Sequence, residues 1–260
     1  ARSIGKEHIT RRQFAGLAGQ HGDAAFAARC EAEHAQLRDK LDTHGWDGAW
    51  YRRAYFDDGT PLGSATNAQC QIDSIAQSWS VLSGAGDPAR ARLAMGALQT
   101  RLVRPERGLV QLLDPPFDQP VPNPGYISGY VPGVRENGGQ YTHGAIWAAM
   151  AFAALGQHER AWALADLINP LTHARDAAGV ATYKVEPYVM AADVYGVAPH
   201  IGRGGWSWYT GSAGWMYRLV IESLLGLRLS ATPQGAQLHL APCLPAGWPG
   251  PKMRPPLDTV

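Results

Sequence analysis

Short polar joints that contain glycine divide the apolar segments of this chain into pairs, and they constrain its fold more than any other feature. The joints are His21-Gly22-Asp23, Gly84-Ala85-Gly86-Asp87 and Gly156-Gln157-His158-Glu159. Glycine after an apolar-periodic segment is typical of a helix end, and the segments on both sides have helical periodicity. The sequence therefore predicts helical hairpins over residues 14–41, 70–103 and 144–168.

The spacing of these hairpins is long and unequal, which argues against a solenoid of short repeats. A mainly α fold, built as a closed toroid of helical hairpins with functional loops at one end, fits the pattern better. Near the C-terminus, residues 227–230 and 237–240 alternate in polarity around Thr232-Pro233-Gln234-Gly235. This pattern predicts a β-hairpin and the start of a β-element.

The charge balance excludes polyanionic partners. The chain has 23 Lys and Arg against 22 Asp and Glu, so its net charge of +1 creates no field for nucleic acid or an acidic membrane. No run approaches the roughly 18 apolar residues of a membrane helix. Cys30, Cys70 and Cys243 are widely spaced and form no CxxC pattern, so we expect buried thiols, a reducing cytoplasmic compartment and no metal site.

Two polar segments rich in glycine are the candidate functional loops. They span residues 136–144 and 202–212, and each leads directly into an apolar helical run. Glycine lets a backbone approach a ligand closely, and a loop that ends at a helix N-terminus directs free N–H groups at an anion. Because both loops also carry Trp and Tyr, they predict a site for sugar and phosphate.

Several motifs together carry a family resemblance. They are residues 46–54, Asp57-Asp58-Gly59, residues 72–79, residues 136–143, Glu186-Pro187-Tyr188 and residues 206–218. These motifs resemble the glycoside phosphorylases of the cellobiose phosphorylase type, in particular the C-terminal phosphorylase-like module of cyclic β-1,2-glucan synthases. The resemblance covers roughly residues 14–250, and the motif around Thr210 is quite specific.

The resemblance implies an α/α toroid of six helical hairpins flanked by β-sandwich domains. On that basis we expect a divergent N-terminal segment (1–13), a partial toroid domain of catalytic type (14–226) and a truncated β-sandwich (227–260). The implied activity is inverting phosphorolysis of a β-glucoside to α-glucose 1-phosphate, with inorganic phosphate as co-substrate and no metal or organic cofactor. In an intact synthase this module would lie on the cytoplasmic side of the inner membrane.

The resemblance also assigns phosphate-binding residues. His143 and the Thr210-Gly211 pair match positions that hold phosphate, and Gln140 is their neighbour. A Thr hydroxyl, a backbone N–H and an imidazole are suitable donors to a dianion. The structural alternative is that His143 caps the helix that follows it and that Thr210 and Ser212 are ordinary N-cap donors.

Sugar-binding candidates come from carboxylates and aromatic rings. Glu136 matches a carboxylate that hydrogen-bonds sugar hydroxyls, and Tyr141, Trp206 and Trp208 offer stacking faces, the two tryptophans sharing one face of an extended segment. Asp73, on a predicted helix facing the toroid mouth, and Glu186, at a predicted helix start, complete the set. The alternative for the tryptophans is packing in the core or at its rim.

One element of the family pattern is absent from this sequence. The family's general acid is an Asp in a Gly-Asp-Trp-Asn-Asp-Gly type motif upstream of the matched region, and no such motif occurs here. The catalytic residue is therefore unassigned. We expect a fragment with no substantial phosphorolytic activity alone, completed by a missing N-terminal half or by a second copy of the chain.

Two other functions remain open from the sequence. A non-catalytic carbohydrate-binding module would keep the aromatic residues without the acid. An inverting β-glucosidase on a related toroid would use two carboxylates from Asp73, Glu136 and Glu186. Hydrolysis would release free glucose without phosphate, which distinguishes it from phosphorolysis.

Overall fold

Helices dominate the computed structural model, which describes residues 4–232 and 235–248. They are α1 (Ile4–Gln20), α2 (Ala24–Lys40), α3 (Ser74–Leu82), α4 (Pro88–Arg101), α5 (Thr142–Ala154), α6 (His158–Leu167), α7 (Pro170–His173), α8 (Ala177–Tyr183) and α9 (Thr210–Arg218). Wider π-type turns extend α2 over Leu41–Gly45 and α9 over Leu219–Leu224. The predicted mainly α class is confirmed.

Each predicted helical hairpin is present, and aspartate side chains cap the second helix of two of them. Asp23 Oδ1 accepts a hydrogen bond from the Phe26 amide at 2.9 Å, and Asp87 Oδ1 accepts from the Ala89 and Arg90 amides at 3.0 and 2.9 Å. Pro88 occupies the first turn of α4, where its missing N–H costs nothing. Two of the three polar joints seen in the sequence therefore contain the residue that caps the second helix of the hairpin.

Two helix starts differ from the prediction. Helix α1 begins at Ile4, well before residue 14, and α3 begins at Ser74 instead of residue 70. The second difference arises because Ile72–Asp73 pairs with Leu113–Asp114 as a short antiparallel strand. Asp73 then caps α3, since its Oδ1 accepts from the Ile75 amide at 2.9 Å.

Helix α5 forms the centre of the packing. Its residues from Thr142 to Phe152 are buried with the sole partial exception of His143, and helices α3, α6 and α9 pack around it. A helix that is apolar on all sides must be enclosed by others. Phe152, Ile146, Leu98 and Leu164 are among the fully buried side chains of the main core.

The strands are short, and they pair loop segments with one another. They are β1 (Ala54–Tyr55), β2 (Pro61–Leu62), β3 (Ile72–Asp73), β4 (Val103–Arg104), β5 (Leu109–Val110), β6 (Leu113–Asp114), β7 (Gln140–Tyr141), β8 (Asp193–Val194), β9 (Gly204–Gly205), β10 (Leu227–Thr232) and β11 (Gly235–Leu240). Strand β8 pairs antiparallel with both β7 and β9. This small sheet joins the two glycine-rich segments, which are far apart in sequence.

The predicted C-terminal β-hairpin is formed by β10 and β11, from Leu227↔Leu240 to Thr232↔Gly235. Its turn residues 233–234 and the end of the predicted β-sandwich, residues 249–260, lie outside the described residues. The segment after β11 is held to α6, where Trp162 Nε1 donates to the Cys243 carbonyl at 2.5 Å. The division at residues 14 and 227 stays a prediction.

All three cysteines are free and buried, as predicted. Within residues 4–232 and 235–248 no helix combines the length and the apolar character that a membrane crossing requires.

A matched pair of leucines on α4 tests the core. Leu98 is fully buried, whereas Leu93 is 60% exposed. We expect Leu98→Ala to lower the free energy of unfolding by about 2–5 kcal/mol through lost burial and a residual cavity. Leu93→Ala should change it by no more than about 0.5 kcal/mol. Urea unfolding followed by circular dichroism measures both, and equal effects would contradict the assigned core.

Candidate functional site

His143 lies where the two glycine-rich segments meet. Its ring stacks on Tyr141 with centroids 4.8 Å apart and an interplanar angle of 12°, and it meets the Tyr209 ring edge-on at 5.7 Å. A Cβ placed on Gly211 would lie only 2.6 Å from His143 Nε2. The imidazole therefore lies directly against the Gly211 backbone, and the predicted pair of His143 and Gly211 is brought together.

The N-termini of helices α5 and α9 meet where His143 contacts Gly211. Helix α5 begins at Thr142 and α9 at Thr210, so His143 and Gly211 are each the second residue of a helix. The N-cap residues are Tyr141 and Tyr209, and neither makes a side-chain capping hydrogen bond. The alternative that His143, Thr210 or Ser212 is the N-cap residue is therefore wrong. Uncapped first-turn N–H groups carry partial positive charge and favour an anion.

The first turns of α5 and α9 also contain hydroxyl groups. Thr142 Oγ1 and Ser212 Oγ are buried and make no hydrogen bond to any described residue. Buried hydroxyls normally have a partner, so each is a polar group without one inside the described protein.

Gln140 lies next to this cluster but has a structural contact. It is buried in β7, and its Oε1 accepts a hydrogen bond from the Val110 amide at 2.9 Å. This bond fixes β5 beside β7. Gln140 thus holds the strand that leads to Tyr141 and His143.

Arg135 joins two predicted sugar-binding residues and was missed in the sequence. Its guanidinium lies 4.4 Å from the centroid of the Trp206 ring, and its Nε is 3.4 Å from Glu136 Oε2. It also lies over the Tyr130 ring at 5.5 Å. Glu136 and Trp206, from different segments, therefore contact the same buried cation. The available sequence signal was its position directly before Glu136.

Asp193 is a second residue that sequence reasoning missed. It is fully buried on β8, opposite Tyr141 on one side and Gly205 on the other. Burial raises the pKa of its carboxyl group to about 6, although the charge and backbone N–H of Arg135 act in the opposite direction. Neither oxygen makes a hydrogen bond of standard geometry within the described part of the chain. The sequence feature that could have identified Asp193 is an acidic residue within the apolar run 189–194.

A second aromatic group lies beside Thr210. Trp208 Nε1 donates to Glu186 Oε1 at 3.2 Å, and the Tyr188 ring meets the Trp208 ring edge-on at 6.0 Å. A cavity of about 370 Å³ lies here. Its lining includes Tyr188, Met190, Trp208, Tyr209, Thr210 and Tyr217. An aromatic wall with a carboxylate at its rim is chemically suited to a sugar ring.

The tryptophan geometry differs from the prediction. Trp206 and Trp208 have φ angles of 55° and 60°, so the segment is not the extended one that the same-face prediction assumed. They are 65% and 66% exposed, which excludes core packing for both. By contrast, Trp50 is buried and donates to the Gln71 carbonyl at 2.9 Å.

Two carboxylates are also placed differently from the prediction. Asp73 does not lie within a helix facing a mouth, because it is fully buried as the cap of α3 and pairs with Arg53. Glu186 does not precede a helix, since α8 ends at Tyr183 and residues 187–188 form a turn. Glu186 nevertheless remains beside Trp208, whereas Asp73 stabilises the fold.

The largest cavity described, about 850 Å³, lies elsewhere. It is lined by Met150 and Ala154 at the far end of α5 and by Arg218, Arg228 and His239. At 1.5 Å of rise per residue, this end of α5 is roughly 10–16 Å along the helix from His143. In the described part of the chain no three His, Cys, Asp or Glu side chains are grouped to hold a metal ion.

Comparison with known proteins identifies the family of this chain. The family model "Glycosyl hydrolase 94 superfamily, catalytic domain" matches residues 5–226. The chain is 51% identical over 241 residues to the cyclic beta-(1,2)-glucan synthase NdvB of Rhizobium meliloti (strain 1021), covering 93% of this chain and 8% of the synthase.

Phosphorylases are similar at lower identity. The chain is 32% identical to the solabiose phosphorylase of Paenibacillus borealis, over 82% of this chain and 27% of that protein. It is 33% identical to the N,N'-diacetylchitobiose phosphorylase of Vibrio furnissii, over 91% of this chain and 29% of that protein. The chain thus spans less than a third of the length of these relatives.

The buried Asp193 predicts a pH dependence of stability. Since its pKa is raised to about 6 in the folded protein, the folded state holds a proton between about pH 4 and 6 that the unfolded state has lost. The free energy of unfolding should therefore fall as pH rises through this range, by an amount on the order of 2–3 kcal/mol at 1.36 kcal/mol per pKa unit.

Urea unfolding at pH 4, 5, 6 and 7 measures this dependence. Asp193→Asn should lack that decrease, while Asp57→Asn, which changes an exposed carboxylate, should keep the wild-type slope. Parallel slopes for the wild type and Asp193→Asn would show that Asp193 does not titrate in this range.

Proposed function

The chain belongs to the glycosyl hydrolase 94 superfamily, and we propose that it forms part of a phosphorylase-type domain that binds β-glucan and inorganic phosphate. The single observation that carries this proposal is the contact of His143 with Gly211 between the N-termini of α5 and α9. Two helix starts and an imidazole at one point suit a phosphate dianion.

In the proposed reaction, inorganic phosphate attacks the anomeric carbon of a β-glucosyl residue. A bond forms between that carbon and a phosphate oxygen while the glycosidic C–O bond breaks, and a general acid gives its proton to the leaving oxygen. The products are α-glucose 1-phosphate and a glucan shorter by one residue. Phosphate replaces the water and base of an inverting hydrolase, so the reaction needs one carboxylic acid.

The phosphate would be held by His143, the Thr210 hydroxyl and the Gly211 N–H. Charge-assisted hydrogen bonds of this kind are roughly twice as strong as neutral ones. The close approach of Gly211 to the ring leaves no room for a side chain at that position. Gln140 supports the site from β7 through its bond to Val110.

The sugar would contact the aromatic groups on either side of the phosphate. Glu136 and Trp206, joined by Arg135, form one wall, and Trp208 with Glu186 forms the other. Tyr141 is held against His143 and links the sugar and phosphate sides. We assign Asp73 to stabilising the fold, because its carboxylate is fully buried.

The remainder of the domain would supply the general acid. Because the chain spans less than a third of its phosphorylase relatives, we propose that further hairpins complete an α/α toroid around α5 and bring the acid. A second copy of this chain is the alternative source. The similarity to the glucan synthase favours β-1,2-linked glucan. The three free, buried cysteines favour a reducing, cytoplasmic site of action.

Hydrolysis by two carboxylates is less well supported. Asp73 is buried, Glu136 is engaged by Arg135 and Glu186 is engaged by Trp208, so none of the three is free to activate a water. A glucan-binding module without catalysis remains as an outcome of the tests below.

Gly211→Ala tests the phosphate site against a matched control. The new methyl group would lie 2.6 Å from His143 Nε2, whereas nothing lies within 4 Å of a Cβ at Gly214 on the same helix. We expect Gly211→Ala to weaken inorganic phosphate binding at least tenfold in calorimetry. Gly214→Ala should bind as the wild type does.

The large cavity provides a second control, since Arg228 lies there, far from His143. Arg228→Gln should leave phosphate affinity unchanged. If it removes binding while Gly211→Ala does not, the assigned phosphate site is wrong.

Product formation tests the proposed reaction. The purified chain, first shown to be folded, is incubated with β-1,2-gluco-oligosaccharides with and without inorganic phosphate. We expect the chain alone to bind the sugar without forming α-glucose 1-phosphate, because we propose that the acid belongs to the rest of the domain. Phosphate-dependent product from the chain alone would show that the acid is within these residues, and free glucose without phosphate would show hydrolysis.

A further inference from the structure

The long loop between β6 and β7, residues 115–139, contains two aromatic residues to which the proposed function assigns no role. They are Tyr126, which is 71% exposed, and Tyr130. Long loops in compact domains usually serve a function. A single exposed ring is common on protein surfaces, but exposed rings that contact one another form a binding surface.

A series of contacts leads from Trp206 to Tyr126. The Arg135 guanidinium lies 4.4 Å from the centroid of the Trp206 ring and 5.5 Å from the centroid of the Tyr130 ring. The Tyr130 ring in turn meets the Tyr126 ring edge-on, with centroids 6.4 Å apart. The buried Arg135 side chain therefore joins the tryptophan of the proposed sugar wall to both tyrosines of the loop.

Buried residues hold both tyrosines in position. Ile127, directly after Tyr126, is buried in the same small apolar cluster as Phe117. Asn137 is fully buried, and its Nδ2 donates hydrogen bonds to the Tyr130 carbonyl at 2.8 Å and to the Phe117 carbonyl at 2.9 Å. Because the loop is fixed by these contacts before a ligand arrives, binding to the tyrosines costs little conformational entropy.

The chemistry of this surface suits a sugar chain. Tyrosine offers an apolar ring face and a polar hydroxyl, which match the C–H faces and the hydroxyl groups of a pyranose. Glu136 lies at the other end of the contact series, where its carboxylate is 3.4 Å from Arg135 Nε. A glucan bound against Glu136 and Trp206 could therefore continue over Tyr130 and Tyr126.

We propose that Tyr126 and Tyr130 form an additional sugar subsite that continues the wall of Glu136 and Trp206, so that the site selects glucan chains longer than a disaccharide. This inference rests on the proposed function and deepens it, because it identifies the length class of the substrate.

Calorimetry on the full chain tests the proposal with two ligands, a β-1,2-linked disaccharide and a β-1,2-linked hexasaccharide of glucose. We expect Tyr126→Ala to weaken hexasaccharide binding about fivefold, since the longer chain loses an aromatic contact, and to weaken disaccharide binding less than about twofold. Tyr126→Phe should bind both ligands as the wild type does, because stacking requires the ring and not the hydroxyl.

Phe14→Ala is the control for loss of an exposed ring. Phe14 is 50% exposed on α1, a helix that packs against α2 and α3. This variant should keep the wild-type affinity for both oligosaccharides. Inorganic phosphate affinity should stay within about twofold of the wild type in every variant. Near-ultraviolet circular dichroism shows whether each variant keeps its aromatic packing.

The outcomes distinguish this inference from the proposed function. Wild-type hexasaccharide affinity in Tyr126→Ala would overturn the inference alone. Equal weakening of both oligosaccharides, or loss of phosphate binding, would assign Tyr126 to the general structure of the site and also overturn it. Concentration-dependent association that Tyr126→Ala abolishes would identify a second copy of the chain as the occupant instead. A wild-type chain that binds neither sugar nor phosphate would refute the proposed function and the inference together.

Discussion

The burial of helix α5 on every side is the constraint on which the rest of the structure depends. A helix that is apolar around its whole circumference must be enclosed by other elements, and α3, α6 and α9 pack against it. Enclosure fixes the helix axis and therefore the position of its N-terminus. Because His143 is the second residue of α5, the packing of the core determines where the imidazole lies.

Close backbone approach then determines the site. The β7–β8–β9 sheet brings two segments separated by more than 50 residues into contact, and glycine is required where they meet. A Cβ at Gly205 would lie 2.6 Å from Asp193 Oδ1, and one at Gly211 would lie 2.6 Å from His143 Nε2. Gly205 and Gly211 are thus explained by close packing of the backbone against the Asp193 and His143 side chains.

Local signals allowed much of this fold to be predicted. Asp23 and Asp87 are helix caps whose effect extends over three or four residues, so the hairpins they start were visible in the sequence. The β-hairpin of β10 and β11 was visible for the same reason. The start of α3 was not, because Ile72 pairs with Asp114 across 42 residues and converts the expected first turn of the helix into a strand.

The residues of the candidate site that belong to a local sequence motif could be predicted. The residues that enter the site only through long-range contacts could not. His143 and Gly211 were identified through resemblance, and the structure places them in contact. Arg135 and Asp193 were missed because they are distant in sequence. Only the pairing of β8 with β7 places Asp193 near the loop that precedes Gln140. The left-handed conformation of Trp206 was missed as well, since a bulky residue rarely adopts it and local sequence does not predict it.

A crystal structure of the chain with inorganic phosphate tests the central claim most directly. The account predicts phosphate bound between the N-termini of α5 and α9, within hydrogen-bonding distance of His143 and the Gly211 N–H. Phosphate found instead in the cavity beside Arg218 and Arg228, with the region around His143 empty, would contradict it.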